Sequence, residues 1–355
     1  MEIAIIGFPN STKTTIFNAL TRGKEETNAV PSTKLEVHTA NVTVPDPRVG
    51  ILSAMFRPRK TIYAQVTYND IAGMGRGMSR QSGLAGSLAN LLSASEALMH
   101  VVRAFEDDTV PTASGAVDPQ RDVADMDTEL ILADLILVER KLERMAKEAK
   151  RGDAGEEMPL FQKLKACLES EKPIRDLELT PEERKQLRGY GFLSAKPMLI
   201  VVNVGEDGDE AAAGQFRYEH KDSAVIGVRG RLEAEIAQLD ADEAQAFLQE
   251  YGISEPSLNR VIRASYQLLG LQSFFTVGED EVRAWTIRRG APAVEAAGAI
   301  HTDLARGFIR AEVVAYDDMD ACGSMAEVKA RGLFRLQGKD YIVQDGDILN
   351  IRSGV

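Results

Sequence analysis

The first twenty residues constrain this chain more than any other stretch. Residues 2–6 form a short apolar, isoleucine-rich run that suits a buried strand, residues 7–12 read as a tight turn, and residues 14–20 as a helix. Inside that frame stands Gly7-Phe8-Pro9-Asn10-Ser11-Thr12-Lys13-Thr14. A phosphate-binding loop works because successive backbone N–H groups wrap the phosphates, a lysine reaches the terminal ones, and a Ser or Thr hydroxyl ligates Mg²⁺. The first glycine, the lysine and the hydroxyl are present; the second glycine is replaced by Thr12. Close phosphate approach and the required backbone conformation both favour glycine over a β-branched residue there. Weakened affinity, or a loop of another shape, is the expectation.

Two further motifs follow apolar strand-like runs. Asp70-Ile71-Ala72-Gly73 matches the DxxG turn, whose aspartate holds Mg²⁺ through water and whose glycine senses the terminal phosphate. Many GTPases place a water-orienting glutamine next; Met74 stands here and cannot activate water. Asn203-Val204-Gly205-Glu206 follows residues 198–202, where nucleotide switches carry the base-reading loop. Against Asn-Lys-x-Asp, the acid is longer by a methylene and the base-stacking lysine is Val204, so guanine selectivity should weaken and adenine becomes acceptable. The expected nucleotide-binding residues are therefore Asn10, Ser11, Thr12, Lys13, Thr14, Thr15, Asn203 and Glu206. Thr14 and Asp70 are expected to hold the metal, and no catalytic residue is assigned.

Apolar runs at residues 63–68, 97–102 and 198–202, with helical stretches between them, predict a parallel sheet covered on both faces. From about Asp127 the pattern changes. Ile131, Leu135, Val138, Leu142, Met145 and Ala149 recur at spacings of four and three, as in a coiled-coil seam. That helix should stop near Gly152, and a second carrying Phe161, Leu164 and Leu168 can fold back onto it. Thr180, Pro181 and Glu183 spell a capping box. A self-contained hairpin is favoured over an arm that docks a partner. After Gly278, residues 282–287, 308–314, 341–343 and 348–351 read as short strands, Asp345-Gly346-Asp347 as a turn, and residues 325–330 as a helix. The predicted domains are thus 1–127 with 196–277, a helical insert at 128–195, and a small α+β domain at 278–355.

A formal net charge of -12 argues against broad, sequence-blind coating of DNA. Arg283, Arg288, Arg289, Arg306 and Arg310 leave open either solvated strand faces or a local RNA contact. The amino terminus lacks the basic leader of a secretory signal and no apolar run approaches membrane-spanning length, so a cytoplasmic location without membrane association is expected. Cys167 and Cys322 lack metal-ligand neighbours and read as incidental thiols.

With these motifs in view, the chain resembles the YchF-type Obg-like P-loop ATPase family over nearly its whole length. Val44-Pro45-Asp46-Pro47-Arg48, His100-Val101-Val102-Arg103, Phe105-Glu106-Asp107-Asp108, residues 281–286, residues 306–312 and Val343-Gln344-Asp345-Gly346-Asp347 carry the likeness. It implies an α/β P-loop NTPase (G domain) with a helical coiled-coil insertion and a C-terminal α+β β-grasp (TGS) domain. It further implies an ATP-preferring switch, binding ATP or GTP with Mg²⁺ and connected with ribosomes or RNA. This chain departs from the pattern at Thr12, at Thr33 or Lys34 in the first switch, in the segment 75–83, and at residues 227–229 of the base loop. Thr112 stands where the family's histidine is thought to act. His38 could substitute from the first switch, although an exposed loop histidine is the simpler reading. Slow or impaired hydrolysis follows; the alternative is a scaffold that works without nucleotide. His301 and Trp285 read as β-grasp packing residues.

Overall fold

The computed structural model describes residues 2–23, 37–71, 74–75, 77, 86–108, 110, 115–149, 157–206 and 208–354. In chain order the elements are β1 (Glu2–Ile6), α1 (Lys13–Thr21), β2 (Val37–Thr43), α2 (Pro47–Phe56), β3 (Lys60–Ile62), β4 (Gln65–Ile71), α3 (Gly86–Ala94) and β5 (Ala97–Arg103). The long helix α4 (Pro119–Ala149) follows, then α5 (Met158–Glu169), α6 (Pro181–Leu187), β6 (Met198–Asn203) and β7 (Ser223–Val228). After α7 (Gly230–Gln238), α8 (Ala241–Glu250) and α9 (Ser257–Leu268) come β8 (Leu271–Val277) and β9 (Glu281–Arg288). The chain ends with α10 (Ala293–Ile300), α11 (Thr302–Arg306), β10 (Phe308–Val314), α12 (Tyr316–Cys322), α13 (Met325–Ala330), β11 (Arg335–Gln337) and β12 (Ile348–Ser353). They divide into two compact units: Met1–Val42 with Thr67–Leu268, and Thr43–Val66 with Leu269–Val355.

The first unit is built on a sheet of order β2-β4-β1-β5-β6-β7. β1 runs parallel to β4 and β5, β5 to β6, and β6 to β7. β5 and β6 are buried along their whole length, as parallel strands covered on both faces must be, which explains their unbroken apolar runs. Because β1, β5 and β6 point the same way, the loops after Ile6, Arg103 and Asn203 all open at one edge of the sheet. That edge is where open α/β sheets bind ligands.

The helical insert is less separable than its periodicity suggests. α4 starts at Pro119, and its first turns place Val123, Met126, Leu130 and Ala133 in the core beside Ile6, Leu98 and Ile200. Further along, Ile131, Val138 and Met145 pack with Leu160, Phe161, Leu164 and Leu168 of α5, so the expected stripe closes into a hairpin. One continuous helix thus leaves the sheet core and enters the arm, and the boundary drawn between residues 127 and 128 falls inside it. Side chains fasten the junction: Arg175 donates to Asp127 at 2.9 Å, and the Tyr218 hydroxyl donates to the same oxygen at 2.9 Å. Thr180 and Glu183 form the capping box read from sequence. The stop near Gly152 lies outside the described residues.

The second unit holds a mixed sheet of order β11-β10-β12-β8-β9-β3. Ala293 and Ala296 of α10 join Phe274, Ile287, Ala311, Val313 and Leu349 in its core. Three features differ from the sequence expectation. The unit begins before residue 278, because β8 pairs antiparallel with β9 along its full length. It also contains residues 43–66, which were assigned to the amino-terminal domain: β3 lies parallel to β9, pairing Lys60 with Glu281. Of the apolar run at residues 63–68, the part from Gln65 on forms the start of β4 in the first unit's sheet, while β3 ends at Ile62 in the other sheet. Finally, residues 341–343 make only a single bridge, Ile342 to Pro292, and β11 supplies the edge strand instead. Trp285 stacks on Phe274 and donates to Thr276 at 2.9 Å, a packing role. His301 does not pack: its exposed ring accepts the Asp303 N–H at 3.2 Å and caps α11.

Arg48 joins two of the motifs that carry the family likeness. Its guanidinium pairs with Asp46 at 2.8 Å and with Asp345 at 2.9 Å, and lies 5.1 Å from the centre of the Phe275 ring. Asp345 also accepts the Ser273 N–H at 3.0 Å, fixing the turn on the sheet. Among the clustered arginines, Arg283 stacks on Trp285 at 3.8 Å and Arg306 pairs with Asp303 at 3.5 Å. Among the described residues no helix is long and apolar enough to cross a membrane.

Candidate functional site

At the edge of the first sheet lies a cleft of about 650 Å³, lined by residues 10–15, by parts of the loop after β5, and by residues 203–206 with Arg231. All eight residues named from sequence for nucleotide binding line it. The loop between β1 and α1 alternates its backbone hand: Asn10 has φ 62° and Thr12 φ 70°, both left-handed. Alternation of this kind turns successive N–H groups toward one side and makes an anion-binding concavity. Thr12 therefore adopts the conformation that glycine would supply, and the loop keeps its turn, with Ser11 N–H bonded to the Phe8 carbonyl at 3.1 Å. Gly7 is required for a separate reason: a Cβ there would lie 2.7 Å from the Val101 carbonyl. The amino end of α1, with its unsatisfied N–H groups and positive dipole end, completes the concavity.

Lys13 opens α1. Burial holds its ammonium below the ordinary lysine value, while the carboxylate of Asp70 pulls in the other direction. Asp70, at the end of β4 and almost fully buried, accepts the Thr14 hydroxyl at 2.9 Å. The two groups expected to hold a metal are thus adjacent. They offer hard oxygens only, which suits Mg²⁺. No cluster of three His, Cys, Asp or Glu residues occurs among the described residues, so a Mg²⁺ here would take its other ligands from phosphate and water.

Across the cleft, Asn203 is 2% exposed and its carboxamide is committed to protein groups. Its Oδ1 accepts from Gly230 N at 3.0 Å and from Gly205 N at 3.3 Å; its Nδ2 donates to the Thr12 hydroxyl at 2.8 Å. The residue expected to read a base is placed to hold the surrounding loops. Glu206 is half exposed, with its carboxylate 2.7 Å from Arg231.

In the loop after β5 the sequence singled out only Thr112, where the family's histidine is thought to act. Buried Arg103 fixes it by donating to the carbonyls of Phe105 at 2.8 Å, Val110 at 3.0 Å and Asp107 at 3.3 Å, with its guanidinium 5.1 Å from the Phe105 ring centre. Phe105 and Asp107 then line the cleft. Arg231 was also missed; its signal was its place just beyond the altered base loop at residues 227–229. Met74 is buried in the core with Leu88, Leu92 and Met126. His38 sits on β2 against Phe17 rather than among the cleft-lining residues. His100, beneath the loop, is edge-on to Phe8 and wholly buried, which pushes its imidazole down to about 3 and keeps it neutral. Gly73, the alternatives Thr33 and Lys34, and Thr112 lie outside the described residues.

A family model described as "50S ribosome-binding GTPase" matches residues 2–141. Another, named for the carboxy-terminal region of YchF GTPases and described as "Protein of unknown function (DUF933)", matches residues 271–353. Over 364 residues the chain is 44% identical to "Ribosome-binding ATPase YchF" of Bacillus subtilis (strain 168), with both chains covered in full. The chain belongs to the YchF family of Obg-like ATPases. Membership extends across kingdoms: "Obg-like ATPase 1" of Caenorhabditis elegans is 35% identical over 98% of this chain and 91% of its own. The solved YchF GTPase of Schizosaccharomyces pombe superposes with a TM-score of 0.83 at 30% identity, covering 99% of this chain and 97% of that one. The YchF architecture, a P-loop NTPase domain followed by a carboxy-terminal α+β domain, is therefore the architecture of this chain.

Proposed function

We propose that this YchF-family protein is a purine-nucleotide switch that binds Mg-ATP in preference to Mg-GTP, turns it over slowly, and acts on the ribosome. The observation that carries this reading is the intact phosphate concavity. Despite Thr12, the loop keeps its left-handed turns, and Lys13, Thr14 and Asp70 stand together at the amino end of α1. Lys13 would face the terminal phosphates, the backbone of residues 10–15 would wrap them, and Thr14 with Asp70 would hold Mg²⁺. When bound, Mg²⁺ would supply positive charge that offsets the charge of the phosphates. Val204 and Glu206 in place of lysine and aspartate weaken a guanine-reading edge, which favours adenine. Burial of Met74 supports slow turnover, since no described side chain at that position can orient water. The relatives' names, ribosome-binding ATPases, support the ribosome as partner.

Calorimetry of the full chain with Mg-ATP, Mg-GTP and Mg-ADP tests this reading, with Lys13→Ala as control. ATP should bind at least about tenfold tighter than GTP, and Lys13→Ala should cost about a hundredfold, the scale of losing a charged hydrogen-bond donor to phosphate. Equal, millimolar binding of all three nucleotides would remove it. Co-sedimentation with ribosomes, with and without ATP, separates a nucleotide switch from a nucleotide-independent scaffold.

A further inference from the structure

Thr12 holds φ 70° and ψ 17°, a left-handed conformation that is costly for a non-glycine residue. A β-branched side chain persists there only if its surroundings compensate, and Asn203 does so through the 2.8 Å bond from Nδ2 to the Thr12 hydroxyl. The same carboxamide accepts from Gly205 and Gly230, so one buried side chain ties together the phosphate loop, the loop after β6 and the start of α7. The fit is close on every side. A Cβ on Gly230 would lie 2.7 Å from Asn203 Nδ2, and a Cβ on Gly205, at φ +82°, would lie 3.0 Å from the Phe105 Cβ. Glycine at position 12 would supply the backbone conformation but no acceptor for that amide. Valine would supply the shape and leave a buried N–H without a partner.

We infer that Thr12 is a positioning residue whose hydroxyl latches the phosphate loop to the base-side loop. The substitution of the loop's second glycine thereby couples the two halves of the cleft. This rests on the nucleotide-binding reading and deepens it. Losing the latch lets the Asn203 carboxamide turn and frees the loops that shape the base side, while the curl around the phosphates is retained. A ligand with both base and phosphates therefore suffers more than one with phosphates alone.

Full-length wild type, Thr12→Ser, Thr12→Val and Thr12→Ala are compared in two measurements. In nucleotide-free protein, amide exchange at Gly205 and Gly230 should speed up about fivefold or more in the Val and Ala variants and stay within about twofold of wild type in the Ser variant. In calorimetry, Mg-ATP affinity should fall about tenfold in the Val and Ala variants, inorganic Mg-tripolyphosphate less than about threefold, and Ser should restore ATP binding. The Ala variant serves if the branched Val prevents folding. Unchanged exchange in Val and Ala, a Ser variant as weak as Ala, or equal losses for both ligands overturns the latch. Wild type that binds neither ligand overturns the nucleotide reading instead, and the exchange measurement still decides the latch because it uses no ligand.

Discussion

Among the described carboxylates of the first unit Asp134 is the most deeply buried, with no exposed surface. Burial raises its pKa to about 6, against hydrogen bonds from the Ser194 hydroxyl and the Leu193 and Ser194 amides and the nearby charge of Lys196, all of which favour ionisation. Its folded-state value therefore lies above the ordinary aspartate value, so the folded chain holds this proton more tightly than the unfolded chain. Its stabilising contribution is full below about pH 4, falls as pH rises toward 6, and is lost above that. The shift corresponds to roughly 2–3 kcal/mol. Denaturant unfolding of wild type and Asp134→Asn at pH 4.5 and 7.5 should show the difference between them changing by that order, with wild type losing ground as pH rises. A difference that does not change with pH would mean that the carboxyl titrates normally.

At the scale of elements, α4 and α2 each serve a structure other than the one their neighbours in sequence suggest. α4 spends its first turns in the sheet core and its later turns on α5, so its apolar stripe changes partner without a break in the helix. α2 starts with Asp46 as its amino-terminal cap and Pro47 in its first turn, a local signal. What α2 packs on was not readable, because the partner of Arg48 is Asp345, at the other end of the chain. Replacing Arg48 with Met removes hydrogen bonds to both Asp46 and Asp345 and leaves the mostly buried Asp46 without its counter-ion. A loss of about 2 kcal/mol in the second unit is expected. It should appear as faster amide exchange in β8, β9 and α2, whereas exchange in β5 and β6 should not change.

At the scale of the whole molecule, the chain crosses from the first unit to the second and back before it completes either. A fragment ending at Leu268 would carry α2 without the strands that cover Val49 and Leu52, both fully buried in the intact chain. Such a fragment should bind an apolar dye and aggregate. Deleting residues 43–66 from it and closing the gap with a short polar linker should reduce both effects. If the 1–268 fragment is monomeric and dye-silent, residues 43–66 do not depend on the second unit. The same crossing explains why the sequence boundaries failed at 43–66 and 271–277 but held for local features. The Thr180 capping box, the strand at 308–314 and the helix at 325–330 are set by neighbours a few residues away.

Sequence alone determined the features that depend on local chemistry. The phosphate-loop frame, the buried parallel strands, the arm's stripe and the motif residues at 10–15, 203 and 206 follow from side-chain period, turn residues and motif spacing, which act over short distances. Tertiary structure decided which sheet a three-residue strand joins, and how far α4 reaches into the core. It also decided that Thr12 keeps a glycine's conformation with Asn203 as its partner. Each of these depends on contacts between residues far apart in the chain, and a linear pattern cannot show which long-range contact compensates a local cost.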